Sequence, residues 1–148
     1  MPILLVRHGE AVQPGDAGDV PRFLSSRGRI ETRSVGASVR AANLTVSSIV
    51  SSPLVRAVQT AELLAQALDF EGLISTDVHL VPEADPRIFF RRAPVGSALS
   101  IVVCHEPVIR GIAALLAEQS SYPGFRTSGA VLFGDGPGKR GVLAHFNP

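Results

Sequence analysis

The sequence is poor in cysteine and in long apolar runs, and each shortage excludes a class of protein. The single cysteine, Cys104, has no partner for an intramolecular disulfide, which favours a reducing compartment. No apolar run approaches the roughly 20 residues that a transmembrane helix needs. The chain does not open with a basic and then apolar signal segment. We therefore expect a cytoplasmic protein that has no membrane partner.

An excess of charge of either sign is also missing. The 148 residues include 14 Lys+Arg and 13 Asp+Glu, which gives a net charge of +1. This balance gives no electrostatic reason to expect binding to nucleic acid or to a membrane surface. The four histidines share no close metal-ligand spacing, so we expect no zinc site. We also expect no other metal and no cofactor.

Short apolar runs alternate with stretches of helical periodicity, which is typical of an α/β protein. The predicted strands cover residues 3–6, 48–51, 74–80 and 99–104, and residues 130–133 and 142–146 form a terminal hairpin. The predicted helices cover residues 25–43, 55–68 and 108–118, and residues 87–92 are compatible with a further short helix. These elements predict a single three-layer α/β/α domain over residues 1–148. Its sheet is expected to be mostly parallel with an antiparallel edge, and no cap domain is expected.

Basic side chains follow the ends of three predicted parallel strands. Arg7 and His8 directly follow the first strand, Arg56 lies just past the second, and His105 directly follows the strand over residues 99–104. The carboxyl ends of parallel strands form the ligand-binding edge of an open α/β sheet, so we expect a positively charged pocket there. A histidine can attack a phosphoryl group, and an arginine can hold its oxygens with a planar fork of N–H donors.

Three sequence blocks carry a resemblance to a known family. They are LVRHGE at residues 5–10, SPLVRAVQTA at residues 52–61 and VCHEP at residues 103–107. In this order they resemble the signature blocks of the histidine phosphatase superfamily. LSSRG at residues 24–28 resembles the block that opens the first helix of this family. Within the superfamily the chain is most similar to the small bacterial phosphohistidine phosphatases.

The resemblance implies an activity and a set of site residues. It implies a cofactor-independent phosphatase that forms a covalent phosphate on His8. Arg7, Gly9, Arg56 and His105 would bind the phosphoryl group. The positive charge of the two arginines would also disfavour protonation of His8, and the neutral imidazole is the form that can attack.

The residue that protonates the leaving group is left open by the sequence. Ester phosphatases and mutases of the superfamily use an acidic residue between the second and third blocks, where Glu83 lies. Asp85 and the loop residues Asp16 and Asp19 are alternatives. The phosphohistidine branch tends to have Leu-x-Pro in this segment and no clear acid, which residues 80–82 also fit.

Three functions are compatible with these residues. The first is a phosphatase that acts on phosphohistidine in a protein. The second is a phosphomonoesterase or mutase-like enzyme that acts on a small phosphate ester. The third is a phospho-ligand binding module without turnover, and the intact set of His8, Arg7, Arg56 and His105 argues against it.

Cys104, in an apolar strand, is predicted to be a buried structural thiol.

Overall fold

The computed structural model describes residues 2–93, 96–136 and 139–148, in which strands and helices alternate. The strands are β1 (Ile3–Arg7), β2 (Val46–Ser51), β3 (Ile74–Thr76), β4 (Leu99–Cys104), β5 (Ala130–Gly136) and β6 (Lys139–Phe146). The helices are α1 (Ser26–Ala41), α2 (Val55–Ala67), α3 (Pro86–Arg92) and α4 (Val108–Leu116). The predicted α/β class is therefore confirmed.

The strands form one sheet in the order β3-β2-β4-β1-β5-β6. Strand β4 pairs in parallel with β1 on one side and with β2 on the other, and β3 pairs in parallel with β2. Strands β5 and β6 from the end of the chain add an antiparallel edge beside β1. The mostly parallel sheet with an antiparallel edge is the arrangement that the sequence predicts.

Helices cover both faces of this sheet. Leu4 and Val6 of β1 pack in an apolar cluster with α1 and α2, whereas Ile3 and Leu5 pack with α3 and α4. Successive side chains of a strand point to opposite faces, so a strand buried on both sides is apolar throughout. The three layers are confirmed, and no segment between the described elements is large enough for a cap domain. None of the described helices has the length and apolar character needed to cross a membrane.

The predicted strand over residues 74–80 is wrong beyond Thr76. The backbone instead makes one turn of 3-10 helix at Val78–Leu80. The Asp77 side chain accepts a hydrogen bond from the His79 N–H at 2.8 Å, which favours this turn over an extended strand.

Several other elements are more extensive than the sequence pattern indicates. The short segment over residues 87–92 is a helix, α3, which begins at Pro86 and is capped by the Asp85 side chain. The two hairpin strands extend beyond their predicted ends, to Gly136 and from Lys139. The middle of the predicted glycine-rich turn, at residues 137–138, lies outside the described residues.

Candidate active site

The carboxyl ends of β1, β4 and β2 lie side by side and bring the predicted site residues together. The His8 N–H donates to the Cys104 carbonyl at 3.0 Å, and the Ser52 N–H donates to the Val103 carbonyl at 2.9 Å. The rings of His8 and His105 have their centroids 4.8 Å apart. Parallel pairing therefore places the residues that follow three different strands at one edge of the sheet.

A cavity of about 520 Å³ opens at this edge. Arg7, His8, Arg56, His105 and Glu83 all line it. The segment between β1 and α1 contributes further lining residues, which include Asp19 and Arg22. The cavity thus combines two histidines and three arginines with carboxylates, at the edge where the sequence places a positively charged pocket.

His8 is buried and has one ring nitrogen free to react. Its Nδ1 lies 2.7 Å from the Gly9 carbonyl oxygen. A carbonyl only accepts hydrogen bonds, so Nδ1 carries the hydrogen and Nε2 of the neutral ring keeps a lone pair. The pKa of His8 is lowered to about 4, mainly by burial and to a smaller extent by the charges of Arg56 and Arg7, while the hydrogen bond to Gly9 acts in the opposite direction. The sequence analysis assigns the neutral state of His8 to the charge of the arginines. In the structure, burial is the larger cause of its lowered pKa.

His105 presents a hydrogen-bond donor beside His8. Its Nε2 lies 2.7 Å from the Ser52 hydroxyl oxygen, which also accepts the Leu54 N–H at 3.3 Å. The Ser52 hydroxyl has no other acceptor among the described residues, so we assign it as the donor to Nε2, which leaves the hydrogen on Nδ1. Burial is the main cause that lowers the pKa of His105 to about 3, followed by the charges of His8 and Arg56.

Arg7 and Arg56 each use part of the guanidinium on the protein and keep part of it free. Arg7 Nη1 donates to the Phe125 carbonyl at 2.6 Å. Arg56 Nη1 and Nη2 donate to the backbone oxygen and the carboxylate of Asp19, at 3.1 and 2.9 Å. Arg7 Nε, Arg56 Nε and His105 Nδ1 are buried and have no partner among the described residues. Unpaired buried donors are costly, and three of them at one cavity suit an anion with several oxygens.

The structure separates the four acidic candidates. Glu83 lines the cavity and makes no hydrogen bond or ion pair with the described part of the chain. Asp19 also lines it, but a hydrogen bond from Arg22 holds the pKa of its carboxyl below the ordinary value. Asp85 caps α3 and pairs with Arg87, whose hydrogen bonds lower its pKa to about 2. Asp16 is exposed on the loop and is not among the lining residues.

Gly9 packs against α1 and is not among the residues that line the cavity. A Cβ atom at this position would lie 2.7 Å from Thr32 Oγ1 and 3.0 Å from the Gly28 carbonyl oxygen. Its N–H donates to Thr60 Oγ1 at 2.9 Å, so this donor is already used. The structure therefore places Gly9 close to the helix, with its N–H used within the protein.

The sequence patterns do not indicate several residues of the site. Ser52 lies in the second signature block, but its contact with His105 depends on the pairing of β2 with β4. Arg22 lies at the end of a polar loop without periodicity. Its spacing of three residues from Asp19 is the one sequence feature that indicates their ion pair. The Phe125 carbonyl that accepts from Arg7 is a backbone group, so the residue type at this position does not indicate the contact.

Among the described residues, neither a metal-binding cluster nor the thiol contributes to this site. In the described ranges, no cluster of three or more His, Cys, Asp or Glu side chains could hold a metal ion. Cys104 is fully buried in β4, and burial raises the pKa of its thiol. The prediction that this thiol is buried is confirmed.

Comparison with solved structures shows that this fold is known. The protein histidine phosphatase SixA, solved in complex with tungstate, is 24% identical and has a TM-score of 0.87, with 99% of this chain and 97% of that chain covered. Phosphoserine phosphatase from Entamoeba histolytica, in complex with 3-phosphoglyceric acid, is 14% identical, with a TM-score of 0.68 and coverage of 99% and 97%. At these identities the likeness establishes the fold alone.

Sequence comparison establishes the family. The serine/threonine-protein phosphatase Pgam5 of Drosophila virilis, a mitochondrial protein, is 32% identical over 69 residues, which are 47% of this chain. The match spans 24% of the length of that relative. A family model for the histidine phosphatase superfamily (branch 1) matches residues 3–81, which is just over half of the chain. The chain therefore belongs to the histidine phosphatase superfamily.

Proposed function

We propose that this protein is a phosphatase that forms a covalent phosphate on His8 Nε2 and removes phosphate from phosphohistidine in a protein. One observation carries the proposal. A neutral histidine with a free Nε2 lies beside Arg7, Arg56 and His105, each of which has a buried N–H without a partner among the described residues. These donors suit the three non-bridging oxygens of a phosphoryl group.

The reaction takes place in two displacements. In the first, the lone pair of His8 Nε2 forms a bond to phosphorus while the bond to the leaving group breaks, and the leaving group takes the electron pair. In the second, water attacks phospho-His8, the N–P bond breaks and its electron pair returns to Nε2. The proton of the water passes to solvent, and phosphate leaves. Arg7, Arg56 and His105 stabilise the charge on the phosphoryl oxygens in both steps.

The choice of phosphohistidine as substrate is supported by the leaving group. An imidazole needs less proton assistance than an alkoxide, because it is a weaker base and can leave in protonated form. Asp19 and Asp85 have lowered pKa values and are poor proton donors at neutral pH. The similar SixA structure is that of a protein histidine phosphatase, which agrees with this substrate.

A phosphate ester is the second candidate substrate, and Glu83 favours it. This carboxylate lines the cavity and is not engaged by any described residue, so it is placed to protonate an alkoxide. The Pgam5 and phosphoserine phosphatase relatives carry names that describe phosphate esters as substrates.

Trapping of the covalent phosphate tests the proposed mechanism. We expect the protein, incubated with a histidine protein phosphorylated by phosphoramidate and then quenched, to carry a phosphate that resists base and is lost in acid. His8→Asn should carry none, while it stays folded and still binds inorganic phosphate through the arginines. Wild-type protein that binds phosphate but is never labelled, and releases none from the substrate, would instead be a binding module.

A further inference from the structure

The carboxylate of Asp19 joins two arginines at the wall of the cavity. Its Oδ2 accepts from Arg56 Nη2 at 2.9 Å, and its Oδ1 accepts from Arg22 Nη1 at 2.8 Å. The backbone oxygen of Asp19 accepts from Arg56 Nη1 at 3.1 Å. Arg22 is held in turn, because its Nε donates to the Val12 carbonyl at 2.7 Å. The contact therefore fixes both Asp19 and the guanidinium of Arg56.

These contacts select one edge of the Arg56 guanidinium for a ligand. Asp19 occupies the end of the group, where Nη1 and Nη2 lie. The Nε–H and the second Nη2 hydrogen point in parallel from the adjacent edge, which is the edge that binds two oxygens of a phosphate. Arg56 Nε is buried without a partner in the described part of the chain, and the side chain is only 4% exposed.

Arg7 has a similar arrangement with a different support. Its Nη1 donates to the Phe125 carbonyl, and its Nε is also buried and without a described partner. A backbone carbonyl alone supports Arg7. Arg56 is supported by both the backbone oxygen and the side chain of Asp19, which lies on an exposed loop. The orientation of Arg56 can therefore be changed by substitution of one residue that lies outside the strands and helices.

We propose that Asp19 is a positioning residue, which turns the Nε and Nη2 edge of Arg56 towards the phosphoryl group while Arg22 holds Asp19 in place. This inference rests on the proposed function, since it assigns the support of one of the phosphate-binding arginines. It also gives Asp19 a role other than that of the general acid. A carboxylate that accepts from two arginines is kept ionised, and an ionised carboxylate has no proton to donate.

Steady-state kinetics of Asp19→Ala test the proposal with two aryl phosphates, p-nitrophenyl phosphate and phenyl phosphate. We expect kcat to fall by about 10- to 100-fold, as for a misplaced catalytic group, and KM to change by less than about threefold. The loss should be the same for both substrates, although phenolate is the poorer leaving group. A loss that is much larger for phenyl phosphate would make Asp19 a general acid and overturn the proposal.

Two further variants separate positioning from a general effect on the loop. Asp19→Asn keeps an oxygen that accepts from Arg56, so its kcat should recover to within about fivefold of wild type, given that one hydrogen bond is retained. Asp16→Ala changes an exposed aspartate of the same loop that does not line the cavity, and its kinetics should equal those of wild type. Equal losses in Asp16→Ala and Asp19→Ala would overturn the proposal.

The coupling to Arg56 is measured by a double-mutant cycle. Lysine has no planar fork to orient, so Asp19→Ala should cost less than about twofold in kcat when Arg56→Lys is already present. The full loss in that background would show that Asp19 acts through another residue. Circular dichroism and thermal unfolding identify a variant that fails to fold, in which case Asp19→Leu, which also lacks a side-chain oxygen, takes the place of Asp19→Ala. Lack of turnover by wild type on the phosphohistidine protein as well as on both aryl phosphates would contradict the proposed function. If wild type acts on the phosphohistidine protein alone, the same variants are compared on that substrate. Active wild type with active Asp19→Ala contradicts this inference alone.

Discussion

Among single residues, Glu83 is the one whose contribution separates the two substrate classes. If the protein acts on phosphate esters, Glu83→Gln removes the proton donor for an alkoxide, and the rate should fall by roughly 10²–10⁴-fold. On phosphohistidine the imidazole takes its proton from solvent, and we expect a loss of well under tenfold. The measurement is kcat of wild type and of Glu83→Gln, on a phosphohistidine protein and on a panel of phosphate monoesters.

Glu71→Gln provides the matched control. Glu71 is an exposed residue in the segment between α2 and β3, and it lines a different cavity. Its kinetics should match those of wild type on every substrate. A large loss by Glu83→Gln on the phosphohistidine protein would contradict the expectation and make Glu83 a general acid for that reaction as well.

Residues that follow buried strands could be located from the sequence, and residues on loops could not. His8 and His105 come directly after apolar runs, and parallel pairing is enough to bring such positions to one edge. Asp19 lies eleven positions after His8 in a polar loop without periodicity, so the sequence does not indicate where its side chain points. Its contact with Arg56 depends on how that loop folds back over the cavity.

For the secondary-structure elements, the contact between α1 and the segment after β1 gives a testable prediction. A Cβ atom on Gly28 would lie 2.0 Å from the Glu10 carbonyl oxygen, which is backbone and cannot move aside. Gly28→Ala should therefore destabilise the protein by roughly 1–3 kcal/mol, even though alanine is the better helix former by about 1 kcal/mol. Chemical denaturation measures the difference.

Gly15→Ala is the control for this element, because a Cβ atom there meets nothing within 4 Å. Its stability should be unchanged or slightly higher, since alanine restricts the unfolded chain. Equal stability of Gly28→Ala and wild type would show that α1 can move away from Glu10 at no cost.

The errors in predicted elements come from interactions that an apolar pattern does not encode. The strand predicted to reach Leu80 ends at Thr76 because the Asp77 side chain bonds locally to the His79 N–H. The hairpin strands continue through glycines because their pairing uses backbone groups and needs no apolar side chain. Periodicity therefore predicts the existence of an element better than its ends.

In the whole molecule, the two buried histidines make stability depend on pH. The pKa values of His8 and His105 are lowered to about 4 and about 3 in the folded protein, from an ordinary value of 6.5. Between pH 6.5 and about 4 the unfolded chain therefore binds more protons than the folded protein. The midpoint of thermal unfolding should fall as the pH is lowered through this window, in buffers without phosphate.

The double variant His8→Asn, His105→Asn identifies the source of this effect. Without the two imidazoles, the midpoint should change little between pH 6.5 and 4.5. Carboxylates with lowered pKa values, such as Asp85, lose their contribution only at lower pH. A midpoint that is constant across the window in wild type would show that these histidines are protonated in the folded protein without cost.

The position of the lone thiol has a consequence for oxidative chemistry. Cys104 directly precedes His105, yet its side chain is fully buried and its pKa is raised. Peroxides and alkylating agents attack exposed thiolates, and this thiol is neither exposed nor ionised. Enzymes that use a cysteine thiolate to remove phosphate lose activity when that sulfur is oxidised. If His8 is the nucleophile, as proposed, we expect this protein to keep its activity under the same conditions.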